Sequence, residues 1–74
     1  FVGYKIGGGI TVTLPSSPSD NERIHFSPLE DLISNNSIID GNGNTIMGGS
    51  QLVVDNNVGF SLIFNTTNSE WRLV

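Results

Sequence analysis

One run constrains the fold of this chain more than any other. Two apolar patches in Ile38-Ile39-Asp40-Gly41-Asn42-Gly43-Asn44-Thr45-Ile46-Met47-Gly48-Gly49 are joined by turn residues and closed by a glycine pair. Asn-Gly between apolar runs is the strongest short-range sign of a reversing strand, because Asn and Gly tolerate the positive φ that tight reversals need. The run therefore predicts a hairpin turn, and the same alternation of short apolar runs with turn residues fills the chain.

The period is two throughout. Phe1, Tyr4 and Ile6 precede the flexible Gly7-Gly8-Gly9, and Ile10-Thr11-Val12-Thr13-Leu14 alternates apolar with hydroxyl residues, as a strand with one buried face does. These two runs are expected to pair as a hairpin. Pro15 removes a ladder donor, and Ser16 to Asn21 reads as loop. Alternation resumes in Glu22-Arg23-Ile24-His25-Phe26, with Ile24 and Phe26 on one face and His25 on the other. Residues 28–33 offer the one helical opportunity, at most one or two turns. Ser27 can cap, Pro28 suits the first position, and Glu30 and Asp31 favour a helix N-terminus. Strands then follow over Ser37 to Asp40, Asn44 to Met47, Gln51 to Asp55, Gly59 to Phe64 and Glu70 to Val74. The expected fold is all-β: a small antiparallel sandwich or barrel of short strands. No fixed-period repeat is visible, so a solenoid is not demanded.

At 74 residues the chain has room for one β-module, and a chain of this size buries only roughly 60–65% of its unfolded surface. With no cysteine and one histidine, neither a disulfide framework nor a structural zinc site can support so small a core. Self-association, or the remainder of a longer protein, is the expected support. Phe1-Val2-Gly3-Tyr4 resembles neither a signal n-region nor an apolar span, so the chain reads as a fragment of something longer with no membrane partner. A net charge of −4 has the wrong sign for nucleic acid or an anionic bilayer surface. Charged residues are only 14% of the chain while nine are Asn and nine Gly, so amides and hydroxyls carry the polar surface. That suits turn-rich β-structure in variable salt, where exposed ion pairs add little.

The order of pieces carries a resemblance. GGGITVTLPSSPSDNERIHF, then IIDGNGNTIMG, LVVD, SLIFN and the terminal WRLV, looks like a β-module of tailed-phage structural proteins, among them tail fibre, baseplate and head-decoration proteins. In that pattern a TVTLP strand leads through a Pro/Ser loop to an alternating strand. A GNGNTI turn and two core strands follow, and Trp-Arg closes the module. The likeness runs from about Gly7 to Arg72. Two departures stand out: Asp20-Asn21-Glu22 occupies a tight turn where the pattern carries a Gly-Asp pair, and Leu29 to Ile33 is more apolar than the pattern. The resemblance implies a virion location and a structural role in a homotrimer among other virion proteins, with a part in host attachment and no catalytic residues to carry over.

Candidate chemistry reads thinly beside this. Asp40-Gly41-Asn42-Gly43-Asn44 spaces oxygens like the opening of a calcium loop, but Thr45 stands where that loop needs Gly and Gln51 where it needs Glu. No cofactor or metal is expected. Glu30 and Asp31 are adjacent and point apart, whereas a glycosidase holds two carboxyls about 5–10 Å apart in a cleft. His25 lies in no nucleophile motif. A single Trp near a terminus usually closes a core, and Trp71 with Leu73 shares a strand face that would meet Phe60, Leu62 and Phe64, turning Arg72 away. Trp71 with Tyr4 and Phe60 could instead form an aromatic platform for a host surface glycan. Surface or interface candidates are thus Tyr4, His25, Asn42, Asn44, Trp71 and Arg72. The sequons at Asn35 and Asn65 lie in Asn-rich turns where chance matches are common. Three functions stay open: a virion structural module, a carbohydrate- or receptor-binding module, and an end fragment of a parallel β-helix from a polysaccharide-active protein, since IDGNGNTI also resembles the entry to such helices.

Overall fold

In the computed structural model, which describes residues 2–29 and 31–74, the chain is all-β. Its eight strands are β1 (Val2–Ile6), β2 (Thr11–Thr13), β3 (Arg23–Pro28), β4 (Ser37–Asp40), β5 (Thr45–Ile46), β6 (Gln51–Val54), β7 (Phe60–Asn65) and β8 (Glu70–Leu73). They form two facing sheets, one in the order β1-β3-β7-β8-β5 and the other β2-β4-β6. From β1 to β7 the chain crosses to the opposite sheet at every connection, and only β7 to β8 is a hairpin within one sheet.

That winding makes the sheets mixed where the sequence pattern suggested antiparallel pairing. β1 lies parallel to β3, β2 to β4 and β5 to β8, while β3–β7, β4–β6 and β7–β8 are antiparallel. Two coils wind in the same direction, and the third, β6 with β7, runs back along them. The expected β1–β2 hairpin does not form. Its glycine run is a corner between sheets: Gly9 takes a φ of 73° and donates to the Asn36 carbonyl at 3.0 Å. Gly8 lies so close under Asn35 that a Cβ would sit 2.6 Å from its carbonyl oxygen. The Asn42-Gly43 turn is likewise a corner, because β4 pairs with β6 and not with β5. Residue partners lie 22 apart in β1–β3 and 27 apart in β2–β4 (Val2↔Ile24, Thr11↔Ile38). Unequal corners therefore erase any fixed repeat from the sequence.

Period-two alternation supplies the core. Ile24 and Phe26 of β3 and Leu62 and Phe64 of β7 are buried, as is Trp71 of β8, against Ile39 and Val54 of the opposite sheet. Phe64 and Trp71 are register partners with ring centroids 5.1 Å apart, tilted by 57°, a favourable aromatic contact. β7 and β8 thus pair across the Asn65 to Ser69 turn as the apolar sets require.

The helical expectation over residues 28–33 gives way to a turn at residues 32–34. Pro28 extends β3 as the partner of Ile6 and opens no helix. Asp31 accepts from the Ile33 N–H at 3.0 Å and the Ser34 hydroxyl at 2.8 Å, closing an Asx turn that competes with helix. Leu32 is thereby driven into the core, its N–H held by Asn57 Oδ1 at 2.8 Å, and Leu29 and Ile33 stay exposed. Phe1, expected to open the first strand, and Glu30 lie outside the described residues.

The corner after β4 generates a test. A Cβ at Gly41 would land on the Asn44 carbonyl oxygen, whereas one at Gly43, with φ of 93°, would meet nothing within 4 Å. Gly43→Ala should therefore cost only the left-handed backbone penalty, about 1–2 kcal/mol. Gly41→Ala must displace backbone and should cost more than about 3 kcal/mol, at the severe end for one substitution. Urea denaturation of the two variants checks the order.

Candidate interaction face

The sequence-predicted residues do not converge on one site. Tyr4 projects from β1, an edge of the larger sheet, and is 38% exposed. It stacks on Phe26, which stacks on Phe60, with centroids 5.7 and 5.2 Å apart and interplanar angles of 29° and 22°. The three rings are register partners on adjacent strands, so they form a ladder down one face of the sheet. Its middle ring, Phe26, is buried, Tyr4 is exposed and Phe60 is half-buried. Trp71 is fully buried against Phe64 and is no part of a surface platform, so the structure does not assemble Trp71, Tyr4 and Phe60 as a sugar-stacking surface.

His25 and Ser61 are cross-strand partners with Nδ1 to Oγ at 2.8 Å. A hydroxyl beside an imidazole could suggest a nucleophile and its base. That chemistry also needs a third group orienting the base, and donors aimed at a developing oxyanion in a concave site. Here the two side chains lie half-buried on neighbouring extended strands and line neither of the depressions described below. The pair is a polar cross-strand contact of the kind that stabilises sheets.

Asn42 and Asn44 are fasteners between coils. The Asn42 amide donates to the Leu14 carbonyl at 3.0 Å, and that of Asn44 to the Ser16 carbonyl at 3.2 Å. Asp40 Oδ1 accepts from the Asn42 N–H at 2.9 Å. The oxygen-rich run therefore spends these groups on its own turn and on the loop beside it. Among the described residues no three His, Cys, Asp or Glu side chains group so as to hold a metal ion, and no helix is long and apolar enough to cross a membrane.

The concave surface lies elsewhere. A groove of about 320 Å³ opens between β6, the 56–59 loop and the end of β8, lined by Met47, Leu52, Val53, Val58, Phe60 and Leu73 among others. A second depression shares Met47 and Leu73 and adds Gly48, Glu70 and Arg72. Exposure is 42% for Met47, 52% for Val53, 69% for Val58 and 53% for Leu73, so the face is apolar and wet. Local geometry explains each position. Ile46 and Gly49 exchange two backbone hydrogen bonds, at 2.6 and 3.0 Å, around Met47-Gly48, both at positive φ. That is the two-residue reversal with left-handed central residues that suits a twisted ladder, and it carries Met47 at the surface. Asn56 Oδ1 accepts from the Val58 N–H at 3.1 Å and closes the turn bearing Val58. Leu73 lies on the face of β8 expected to be buried, opposite the buried Leu62, yet is itself left exposed. Arg72 turns outward as expected and pairs with Glu70 at 3.1 Å, the ion pair of the rim.

Alternation would divide Val53, Phe60, Leu62 and Phe64 between the core and a seam; Leu62 and Phe64 are buried, Phe60 is half-buried and Val53 is exposed, while Met47, Val58 and Leu73 were not part of that expectation. The readable signal for Met47 was its place before Gly48-Gly49 in a turn, where an apolar residue is out of keeping.

Two carboxylates outside this face bear on folding. Asp20 accepts from the Thr66 N–H at 3.1 Å and its hydroxyl at 3.0 Å, and these bonds, the backbone one foremost, hold its pKa below the ordinary 3.8. The Ser34 hydroxyl, followed by the Asn57 amide and the Ile33 N–H, does the same for Asp31. A carboxyl whose pKa is lower folded than unfolded contributes its stability above the unfolded value and loses it as pH falls through the folded one. Thermal stability should therefore decline below about pH 4, and Asp20→Asn with Asp31→Asn should flatten that decline in a melting series from pH 6 to 2.

No protein-family model matches the sequence, and no curated protein matches it. Among solved structures, a chain in the structure of a chaperone-substrate complex is similar in fold, with a TM-score of 0.70 at 17% identity. The match covers 97% of this chain and 12% of that one, so the present chain spans about an eighth of the length of the chain it resembles.

Trp71 also carries a test. Its Nε1 is buried without a hydrogen-bond partner, an orphan donor of the kind that costs roughly 1–3 kcal/mol. Trp71→Ala should lose about 3–5 kcal/mol through the cavity it leaves. Trp71→Phe keeps an aromatic ring and removes the orphan donor, so it should lose less than half as much. Equilibrium urea unfolding at constant m value separates the two.

Proposed function

We propose that this chain is a non-enzymatic structural module of a tailed-phage virion, of the fibre or baseplate kind, which joins subunits in a homotrimer and presents a rigid surface. The resemblance from Gly7 to Arg72 supports the setting. The observation that carries the role is the wet apolar face of Met47, Val53, Val58 and Leu73 on a chain with little core to spare. Exposed apolar surface gathered in one groove marks an interaction site, and its residues carry no reactive group. Against this, the amide and carboxyl groups of Asp20, Asp31, Asn42, Asn44 and Asn57 are turned to holding turns and loops, which suits a rigid spacer. Sedimentation equilibrium of the purified chain should give a trimer mass at micromolar concentration. A concentration-independent monomer would overturn the reading.

A second reading has one observation in its favour. The two coils with parallel register and the likeness to an eighth of a much longer chain fit a piece of a longer wound β-structure, as in polysaccharide-active proteins. Specific retention on a polysaccharide or glycan array, with Tyr4→Ala abolishing it, would favour that reading over the first.

A further inference from the structure

We infer that the groove bounded by Met47, Val53, Val58 and Leu73 is the seam against further copies of this chain, and that the strained turn carrying Met47 is kept for it. The inference rests on the oligomeric reading above and assigns it a place.

The first argument is electrostatic. The chain carries a net charge of −4, so copies repel wherever carboxylates face one another. The charged residues lining the two depressions are Glu70 and Arg72, and they cancel in an ion pair. All the net charge belongs to the remaining side chains. A neutral apolar face on an acidic molecule is where another acidic copy approaches at least cost, while a basic partner would find there only Glu70, already paired with Arg72.

The second argument is backbone strain. Met47 sits at a φ of 47°, a region where Gly and Asn are at ease and a long unbranched side chain is not. The adjoining Gly48, at 89°, shows the residue type such a turn favours. Its side chain is 42% exposed at the groove rim, so much of what it offers faces outward. Flexible, polarizable methionine gives most when it closes on a surface supplied from outside. Local strain of this kind persists where something beyond local stability maintains it.

The test uses sedimentation velocity over a concentration series, with Trp71 fluorescence and circular dichroism reporting the fold. Val53→Asp and Leu73→Asp should reduce the oligomer to monomer at concentrations where the native chain is assembled. Ile10→Lys, next to β2 at the sheet edge opposite β6, should leave assembly unchanged. Met47→Asn should weaken association by at least about tenfold, as loss of an interface anchor does, while the dissociated chain melts no lower than the native monomer. Retention of the native oligomer by Val53→Asp, Leu73→Asp and Met47→Asn would place the seam elsewhere and leave the oligomeric reading standing. A native chain that is monomeric throughout would overturn both. Binding of a glycan to the groove, lost in Leu73→Asp without change of mass, would assign the face to that ligand and overturn the seam.

Discussion

Everything in this molecule depends on how the backbone is satisfied at the corners. A chain that crosses between sheets after nearly every strand leaves N–H and C=O groups at each crossing with no ladder partner, and buried groups of this kind are almost always paired. The solution here is short polar side chains. Ser37, the buried polar residue beside the first corner, donates its hydroxyl to the Gly7 carbonyl. Asn42 and Asn44 reach the carbonyls of Leu14 and Ser16 in the neighbouring coil. Asn57 accepts the Leu32 N–H and donates to Asp31, and Asp20 holds Thr66 across 46 residues of sequence. Each of these bonds joins residues from different coils, so the corners also set how the coils stack. Asn42, Asn44 and Asn57 thus serve the architecture, while Asn56 and Asn65 close their own turns.

Corners held this way permit a thin core. The molecule measures 35 × 22 × 16 Å, and two sheets facing at about 10 Å leave a single layer of side chains between them. A single layer has no redundancy, because each inward residue is at once a contact of its own sheet and the floor of the other. Trp71 illustrates the point: it fills that layer at the β5–β8–β7 end, where Ile46 and Phe64 are its register partners, even though its indole N–H goes unbonded there. Apolar filling outweighs one orphan donor. At the β6–β8 side of that layer Leu52 and Phe60 are only partly buried, and Leu73 is exposed although its register partner Leu62 is buried.

Strand content and the inward faces were legible in the sequence because they depend only on local alternation. Ile24, Phe26, Leu62, Phe64 and Trp71 are buried as their spacing requires, and His25 and Arg72 fall on the other faces. Strand pairing was legible for β7 and β8 but not for the earlier strands, because Gly7-Gly8-Gly9 and Gly41-Asn42-Gly43 serve a corner between sheets as well as a hairpin within one. What decides is whether the flanking residues bond each other or a distant coil, as Gly9 bonds Asn36. The Asp20-Asn21-Glu22 turn is likewise fixed by a bond to a distant coil. Asn21 takes a φ of 63°, the conformation glycine would supply, and donates to the Phe64 carbonyl. Of the face itself, Val53 and Phe60 could be read from pattern. Met47 left only the signal of an apolar residue in a turn, and the exposure of Leu73 was not readable, since its alternation places it with the buried Trp71.

The two ends of this wound structure are unlike, and the difference bears on how it could be extended. At one end, β1 and β2 are the outer strands of their sheets, offering free backbone edges, while Ile6 and Leu14 keep the core beneath them closed. At the other, the larger sheet runs on through β8 and β5 after the smaller one has stopped at β6, and the step between them is the apolar groove. A strand added at the first end would gain backbone hydrogen bonds and little apolar burial. A surface seated at the second would gain apolar burial without needing strand geometry. Backbone edges accept any extended chain with small regard to its side chains, whereas a groove of fixed shape selects by complementarity. On the proposed reading, selective association belongs to the groove, and the β1–β2 edge is where further strands of a longer wound structure could be added without altering it.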